Sequence, residues 1–215
     1  MRFPRLSPAS DRSVLVEFGA TIDRAHHEAV VRLATRLLER ADPRITNVHP
    51  AYASVLVDFD PRHASHAEIA AELEADVTRL GDVALPTPRT HEIPVRYDGA
   101  DLHEVAKLHD LDVEEVVRLH SEPEYVVYFL GFSPGFPYLG GMSPRLATPR
   151  LATPRTCVPA GSVAIGGAQT GIYPLESPGG WRIVGRTETR LFRPEAVPPV
   201  LLQMGDRVRF VPVAT

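Results

Sequence analysis

The sequence predicts a two-domain chain: a small α+β unit over residues 1–87, then a unit of mainly short strands over residues 88–215. Three observations carry this. Apolar residues recur at helical spacing over 21–40 and 65–80, between segments that alternate at strand spacing. Leu85-Pro-Thr-Pro-Arg-Thr90 sets two prolines close together and reads as a linker. Beyond Ser121, Gly and Pro break the chain into short strand-like pieces, the pattern of a β-barrel or sandwich.

In the first unit Ser13–Phe18 and Ser54–Phe59 are strands, and in the second of them Val55, Val57 and Phe59 alternate. Ile45–Val48 is a weaker strand between them. Thr21–Arg40 is a helix whose Ile22, Ala25, Ala29, Val30, Leu33 and Leu37 share one face. Ser65 with Glu68 forms a capping box opening a second helix with the stripe Ile69, Leu73, Val77 and Leu80. The order β-α-β-β-α predicts a split βαβ, ferredoxin-like arrangement. In the second unit a strand over His91–Tyr97 precedes two short helices, D-L-H-E-V-A-K-L-H at 101–109 and D-V-E-E-V-V-R-L-H at 112–120. Each starts with Asp as N-cap and Glu three residues on. Each buries a triplet, Leu102, Val105, Ala106 and then Val113, Val116, Val117, and each ends in His. Val208 and Phe210 alternate in a last strand.

Composition excludes several classes. One cysteine, Cys157, rules out an internal disulfide framework and Cys-rich zinc patterns, and implies a reducing, cytoplasmic setting. The N-terminus lacks the apolar region of a signal peptide, and no run approaches a membrane span. A net charge of −4 with no basic stripe outside one window argues against nucleic acid. That window is the most informative segment. From Gly131 to Thr187 it holds eleven of the 15 glycines and eight of the 21 prolines, so its loops are built for special backbone geometry. It also holds Arg145, Arg150, Arg155, Arg182 and Arg186 against the single acid Glu176, which points to an anionic ligand.

All nine histidines lie at or before His120, so no local Ser-His or Cys-His pair exists in the window, and their spacing gives no metal motif. His120 has two readings: a partly buried histidine at a helix C-terminus, favourable when charged, or a polar group at a pocket edge. Cys157 has no adjacent base and reads as space-filling. G-G-A-Q-T-G at 166–171 lacks the Gly-Lys-Ser/Thr of a P-loop, so a nucleotide must be held by other means or another chain. The aromatics of the window are either core or pocket, and its arginines either solvated or anion-capturing. The pocket reading takes as substrate-binding Phe132, Pro134, Gly135, Phe136, Arg155, Gln169, Thr170, Tyr173, Ser177, Gly179, Gly180 and Trp181, with Ser177–Trp181 and Gln169-Thr170 forming one wall. Gln169 can donate to and accept from an amide. No residue stands out as catalytic acid or base.

Four blocks carry a family resemblance: F-L-G-F-S-P-G-F-P-Y-L-G-G at 129–141, T-P-R-x-x-x-P-A-G-S-V-A-I at 153–165, Q-T-G-I-Y-P at 169–174 and S-P-G-G-W-R-I-V-G-R-T at 177–187. They closely resemble the B subunit of bacterial ATP-dependent 5-oxoprolinase. The same family is labelled allophanate hydrolase subunit 1 and includes an inhibitor of a sporulation histidine kinase. The resemblance implies a cyclophilin-like β-barrel over about 88–215, a homologous C subunit as partner, and a separate A subunit. The implied reaction opens 5-oxo-L-proline to L-glutamate at the expense of ATP, whose site need not lie on this chain. Inhibition of a histidine kinase and a role in allophanate or urea metabolism are the alternatives.

Overall fold

The structure is a computed structural model that describes residues 3–214, and it divides into two compact units at the Thr87–Pro88 peptide.

The first unit contains β1 (Arg5–Ser10), β2 (Ser13–Glu17), α1 (Arg24–Arg40), β3 (Ile45–Pro50), β4 (Ser54–Phe59) and α2 (His66–Thr78), ending in a 3-10 turn at Leu80–Asp82. Its strands form one antiparallel sheet in the order β1-β2-β4-β3. Val14 and Val16 with Val55, Val57 and Phe59 are buried, as are Val30, Leu33 and Leu37 of α1 and Ile69 and Leu73 of α2. The capping box at Ser65 and Glu68 is present. Helix α1 starts later than its periodicity predicts, because the Asp23 side chain accepts from the His26 N–H and sets the N-cap there. Ile22 therefore falls outside the helix and is 52% exposed. In α2 the buried place beyond Leu73 goes to Asp76 rather than Val77; its carboxylate takes Arg36 at 2.6 Å and Arg40 at 2.8 Å from α1. Strand β1 was not anticipated, since Pro8 interrupts it. Pro8 sits at a sheet edge beside a register shift, where its missing N–H costs no ladder bond. A split βαβ unit closes its sheet with a strand after α2; here β1 occupies the edge next to β2.

The second unit contains β5 (Thr90–Val95), α3 (Leu102–Leu108), α4 (Val113–Ser121), β6 (Tyr125–Leu130), β7 (Pro137–Gly140), β8 (Arg155–Val158), β9 (Ser162–Gly166), β10 (Gln169–Ile172), β11 (Ser177–Gly179), β12 (Arg182–Arg186) and β13 (Arg207–Pro212). Seven strands run in the order β12-β9-β10-β7-β6-β13-β5, antiparallel except for the parallel pair β13–β5. Beyond β5, Arg96 exchanges backbone hydrogen bonds of 2.9 and 2.8 Å with Arg186 at the end of β12, which joins the two edges into a barrel. Strands β8 and β11 form a separate ribbon.

Strand β9 is buried on both sides. Val163 and Ile165 enter the main core with Ile93, Val95, Tyr125, Leu139 and Phe210. Ala164, pointing the other way by the two-residue period, joins a second cluster with Phe136, Tyr173 and Trp181. Across the ladder Ala164 pairs with Gly171, and a Cβ on Gly171 would approach the Phe136 ring at 3.0 Å. Two small residues thus open a seat for Phe136 on the outer wall.

His120 lies in the barrel core with no exposure, so it is neither a partly exposed charged group nor a pocket edge. Its Nδ1 is 2.8 Å from the Tyr97 hydroxyl and its Nε2 2.8 Å from Thr170 Oγ1. Thr170 spends its one hydroxyl proton on the Ala164 carbonyl at 3.0 Å, so Nε2 of His120 must donate and Nδ1 accept from Tyr97. The ring stacks on Phe210 at 4.7 Å. Burial pushes its pKa down to about 3, which keeps the imidazole neutral. The buried face of α4 is accordingly Val116, Leu119 and His120, while Val113 and Val117 are only half-buried.

This network has a pH signature. The unfolded chain takes up the His120 proton near its ordinary value, whereas the folded chain refuses it down to about 3. Stability should be flat above about pH 6.5 and then fall by up to about 1.4 kcal/mol per pH unit as the solution is acidified. His120→Gln should be less stable at pH 7 yet lose stability more shallowly toward pH 4. Parallel melting-temperature curves for the two proteins would contradict this.

Candidate functional site

The arginine surplus of the Gly131–Thr187 window is met by carboxylates from the segment just before it. Arg145 pairs with Glu115 at 2.9 Å, Arg155 with Asp101 at 2.7 Å, Arg182 with Glu104 at 2.6 Å and Arg186 with Asp98 at 2.7 Å. Glu176, the window's one acid, engages Cys157 and pushes its thiol pKa up. Arg150 alone of the five has no carboxylate partner among the described residues; its guanidinium lies 5.7 Å from the Trp181 ring centroid.

Asp101 departs most from its local reading. Its side chain makes no cap hydrogen bond to α3. At 4% exposure it instead holds Arg155 Nη2 through Oδ1 and accepts the Ile183 N–H through Oδ2 at 2.7 Å, while its own N–H donates to the Ile183 carbonyl at 2.9 Å. Arg155 is thus tied down between β8 and α3. It lines a wide groove of about 600 Å³ together with residues 98–100, Cys157, Pro159 and Ala160, and Ile183 with residues 185–188. Cys157 is exposed on that groove and does not fill space.

A smaller cavity, about 80 Å³, opens over the second aromatic cluster. Phe132, Phe136, Tyr138 and Tyr173 give it aromatic walls, and Gly179, Gly180, Trp181 and Arg150 complete it. Trp181 meets Phe136 and Tyr138 edge-on at 5.5 and 5.9 Å and is 5% exposed, so it is core on one side and cavity wall on the other. Its indole lies against Gly166, where a Cβ would overlap the ring. At Gly179 a Cβ would overlap the Tyr173 hydroxyl, so the close approach this glycine permits is by Tyr173 and not by a ligand. Gly180 has ordinary space, its nearest neighbour being Pro154 at 3.6 Å. The hairpin turn from Gly131 to Phe136 is held by Gly131 N–H to Phe136 O at 3.1 Å and Phe136 N–H to Ser133 O at 3.0 Å. Phe132 has φ +67° there and is 62% exposed, a strained conformation for a residue with a side chain.

Six of the expected binding residues therefore converge: Phe132, Phe136, Tyr173, Gly179, Gly180 and Trp181. Pro134 and Gly135 shape the turn without lining the cavity, Gly135 having φ +80° and packing toward Phe192. Gln169 and Ser177 lie in β10 and β11 outside the lining, and Thr170 is buried against His120. Tyr138, an aromatic of the window that reads as core or pocket, and Arg150, an arginine that reads as solvated or anion-capturing, lie outside the expected binding set but line the cavity. The cavity lining holds no His, Asp, Glu, Lys or Cys, so it offers no carboxylate, imidazole, amine or thiol as a base near neutral pH, and its proton donors are the two phenols, the Trp181 N–H and Arg150. Burial raises the pKa of Tyr138 and Tyr173, keeping both phenols protonated. No cluster of three metal-ligating side chains occurs among the described residues, and none of their helices is long and apolar enough to cross a membrane.

Comparisons with known proteins converge. The family described as carboxyltransferase domain, subdomain C and D, matches residues 4–202. The chain is 40% identical to the 5-oxoprolinase B subunit of Bacillus subtilis, over 98% of this chain and 93% of the relative. It is 42% identical to that of Escherichia coli O157:H7, over 94% and 93%. The crystal structure of TTHA0988 superposes with a TM-score of 0.85 at 40% identity over 95% of this chain, which spans 40% of the length of that one. Kluyveromyces lactis urea carboxylase superposes at 0.78 with 23% identity, over 97% of this chain and 22% of that one, a likeness of fold. The closed mixed barrel fits a cyclophilin-like barrel.

The two adjacent glycines should behave oppositely. Gly179→Ala should lower the melting temperature by several degrees, corresponding to roughly 1–3 kcal/mol of overpacking, whereas Gly180→Ala should melt like the parent. Arg155→Ala should also destabilise, since it strands the buried Asp101 carboxylate at a cost of roughly 1–3 kcal/mol. A normally stable Arg155→Ala protein would return this residue to the role of anion receptor.

Proposed function

The chain belongs to the family of 5-oxoprolinase B subunits, and from that premise we propose that it is a non-autonomous part of an ATP-dependent 5-oxoprolinase that opens 5-oxo-L-proline to L-glutamate. The observation that carries this reading is the small aromatic cavity of about 80 Å³ over Trp181, whose lining holds no His, Asp, Glu, Lys or Cys. A five-membered lactam is a resonance-stabilised amide with little ring strain, so its hydrolysis needs an activated oxygen and a positioned water. A binding wall without a carboxylate, imidazole, amine or thiol supplies orientation and hydrogen-bond donors, and the remaining chemistry falls to other subunits. We assign these as a homologous C subunit and a separate A subunit, the complex working in the cytoplasm. In this reading the first unit is a ferredoxin-like variant, with β1 in place of the closing strand.

The chain's residues do not fit ATP. In the 166–171 segment Gly166 ends β9, Gly171 lies in β10, and Gly167-Ala168 forms a two-residue turn between them with Gly167 at φ +65°, instead of a strand-to-helix phosphate loop. Four arginines of the window are already ion-paired. No step on this chain is routed through ATP, whose site we place on another subunit.

Reconstitution tests the reading. Glutamate should form from 5-oxoproline and ATP only when this chain is combined with its C and A partners; turnover by the chain alone, or none by the complete set, would refute it. Phe132→Gly should keep or slightly raise the melting temperature by relaxing a strained φ. It should also raise KM in the complex about tenfold through loss of the ring's apolar contact. Unchanged kinetics would remove Phe132 from the site.

A further inference from the structure

Resting on the pocket reading above, we infer that Arg150 is the carboxylate anchor of the aromatic cavity and so selects cyclic amides that carry a carboxylate beside the ring nitrogen. The charge pattern leads there by elimination. Arg145, Arg155, Arg182 and Arg186 are each committed to a carboxylate of the 98–115 segment. Glu176, the window's only acid, is turned to Cys157. Arg150 is exposed, lines the cavity, and has no carboxylate partner among the described residues.

Its position is fixed from both sides. The Pro149 carbonyl accepts Arg182 Nε at 3.3 Å, and the Leu151 N–H donates to the Gly180 carbonyl at 2.7 Å, so the backbone carrying Arg150 is tied to the wall that carries Trp181. The guanidinium is 5.7 Å from the Trp181 centroid. A cation–π contact holds it by its charge and uses none of its N–H groups, which leaves a planar fork of donors for a carboxylate. Its charge also acts on the Tyr138 and Tyr173 hydroxyls, which line the same cavity.

The chemistry gives this anchor a kinetic signature. Ring opening changes the amide and leaves the α-carboxylate as it was, so a contact to the carboxylate is equally strong in ground and transition states. Its loss should appear in KM and not in kcat. The test uses the reconstituted complex, with 5-oxoproline as substrate and 2-pyrrolidinone, the same ring without the carboxylate, as competitor. Arg150→Gln should raise KM roughly 10–100-fold, the scale of a lost charge-assisted pair, with kcat and melting temperature held. The inhibition constant of 2-pyrrolidinone should not move, and Arg150→Lys should recover part of the KM. A wild-type KM in Arg150→Gln, a loss confined to kcat, or an equal weakening of both ligands would overturn the anchor while leaving the cavity as the site. If 2-pyrrolidinone does not compete and Phe132→Gly has wild-type kinetics, the cavity reading itself falls, and the anchor with it.

Discussion

Asp101 is 4% exposed, and three chain segments meet at its two carboxylate oxygens and its backbone. A buried carboxylate is tolerable only when its charge and lone pairs are satisfied, and here Arg155 supplies the charge while the Ile183 N–H supplies a fixed dipole. The consequences spread outward. Arg155 anchors β8, which pairs with β11 through Val158 opposite Ser177 and Arg155 opposite Gly179. Ile183 belongs to β12, which starts directly after Trp181. The same carboxylate therefore fixes both borders of Gly179–Trp181, the segment that forms one wall of the aromatic cavity. Neighbouring pairs at Asp98, Glu104 and Glu115 repeat the theme at the surface, where each contributes less because water screens it.

That compensation explains how the window can be so basic without being an anion site as a whole. Residues 98–115 carry seven carboxylates against Lys107. The sequence therefore held the information that the downstream arginines had partners, but in another segment. Composition within a window reports the charge that the window brings, and only topology tells what it meets. Arg150 is the residue the compensation leaves over, and it lies beside the one tryptophan of the chain.

Features set by near neighbours were legible. The Ser65–Glu68 box, the alternation of Val55, Val57 and Phe59, and the final Val208 and Phe210 all depend on residues a few positions away, and all appear as expected. Features set by distant partners were not. Asp101 looks like an N-cap until residues 54 and 82 positions later claim it. His120 looks like a helix-end cation until Tyr97, Thr170 and Phe210 enclose it. The cavity was half legible for the same reason. Phe132, Phe136, Tyr173 and Trp181 stood out as aromatics among glycines, whereas Gln169 and Thr170 sit in a strand whose facing is decided by the barrel. Gly179 stood out too, though the group it admits is Tyr173 rather than a ligand.

Trp181 is the only tryptophan in the chain, so its environment can be read without interference. The central claim is that the cyclic amide lies against this indole in the working enzyme. With 5-fluorotryptophan incorporated into this chain alone and unlabelled partners added, the ¹⁹F spectrum should show one resonance from Trp181. Titration with 5-oxoproline should shift that resonance saturably, with a midpoint that tracks KM. A resonance that stays in place while the same sample turns over substrate would show that the ring binds elsewhere.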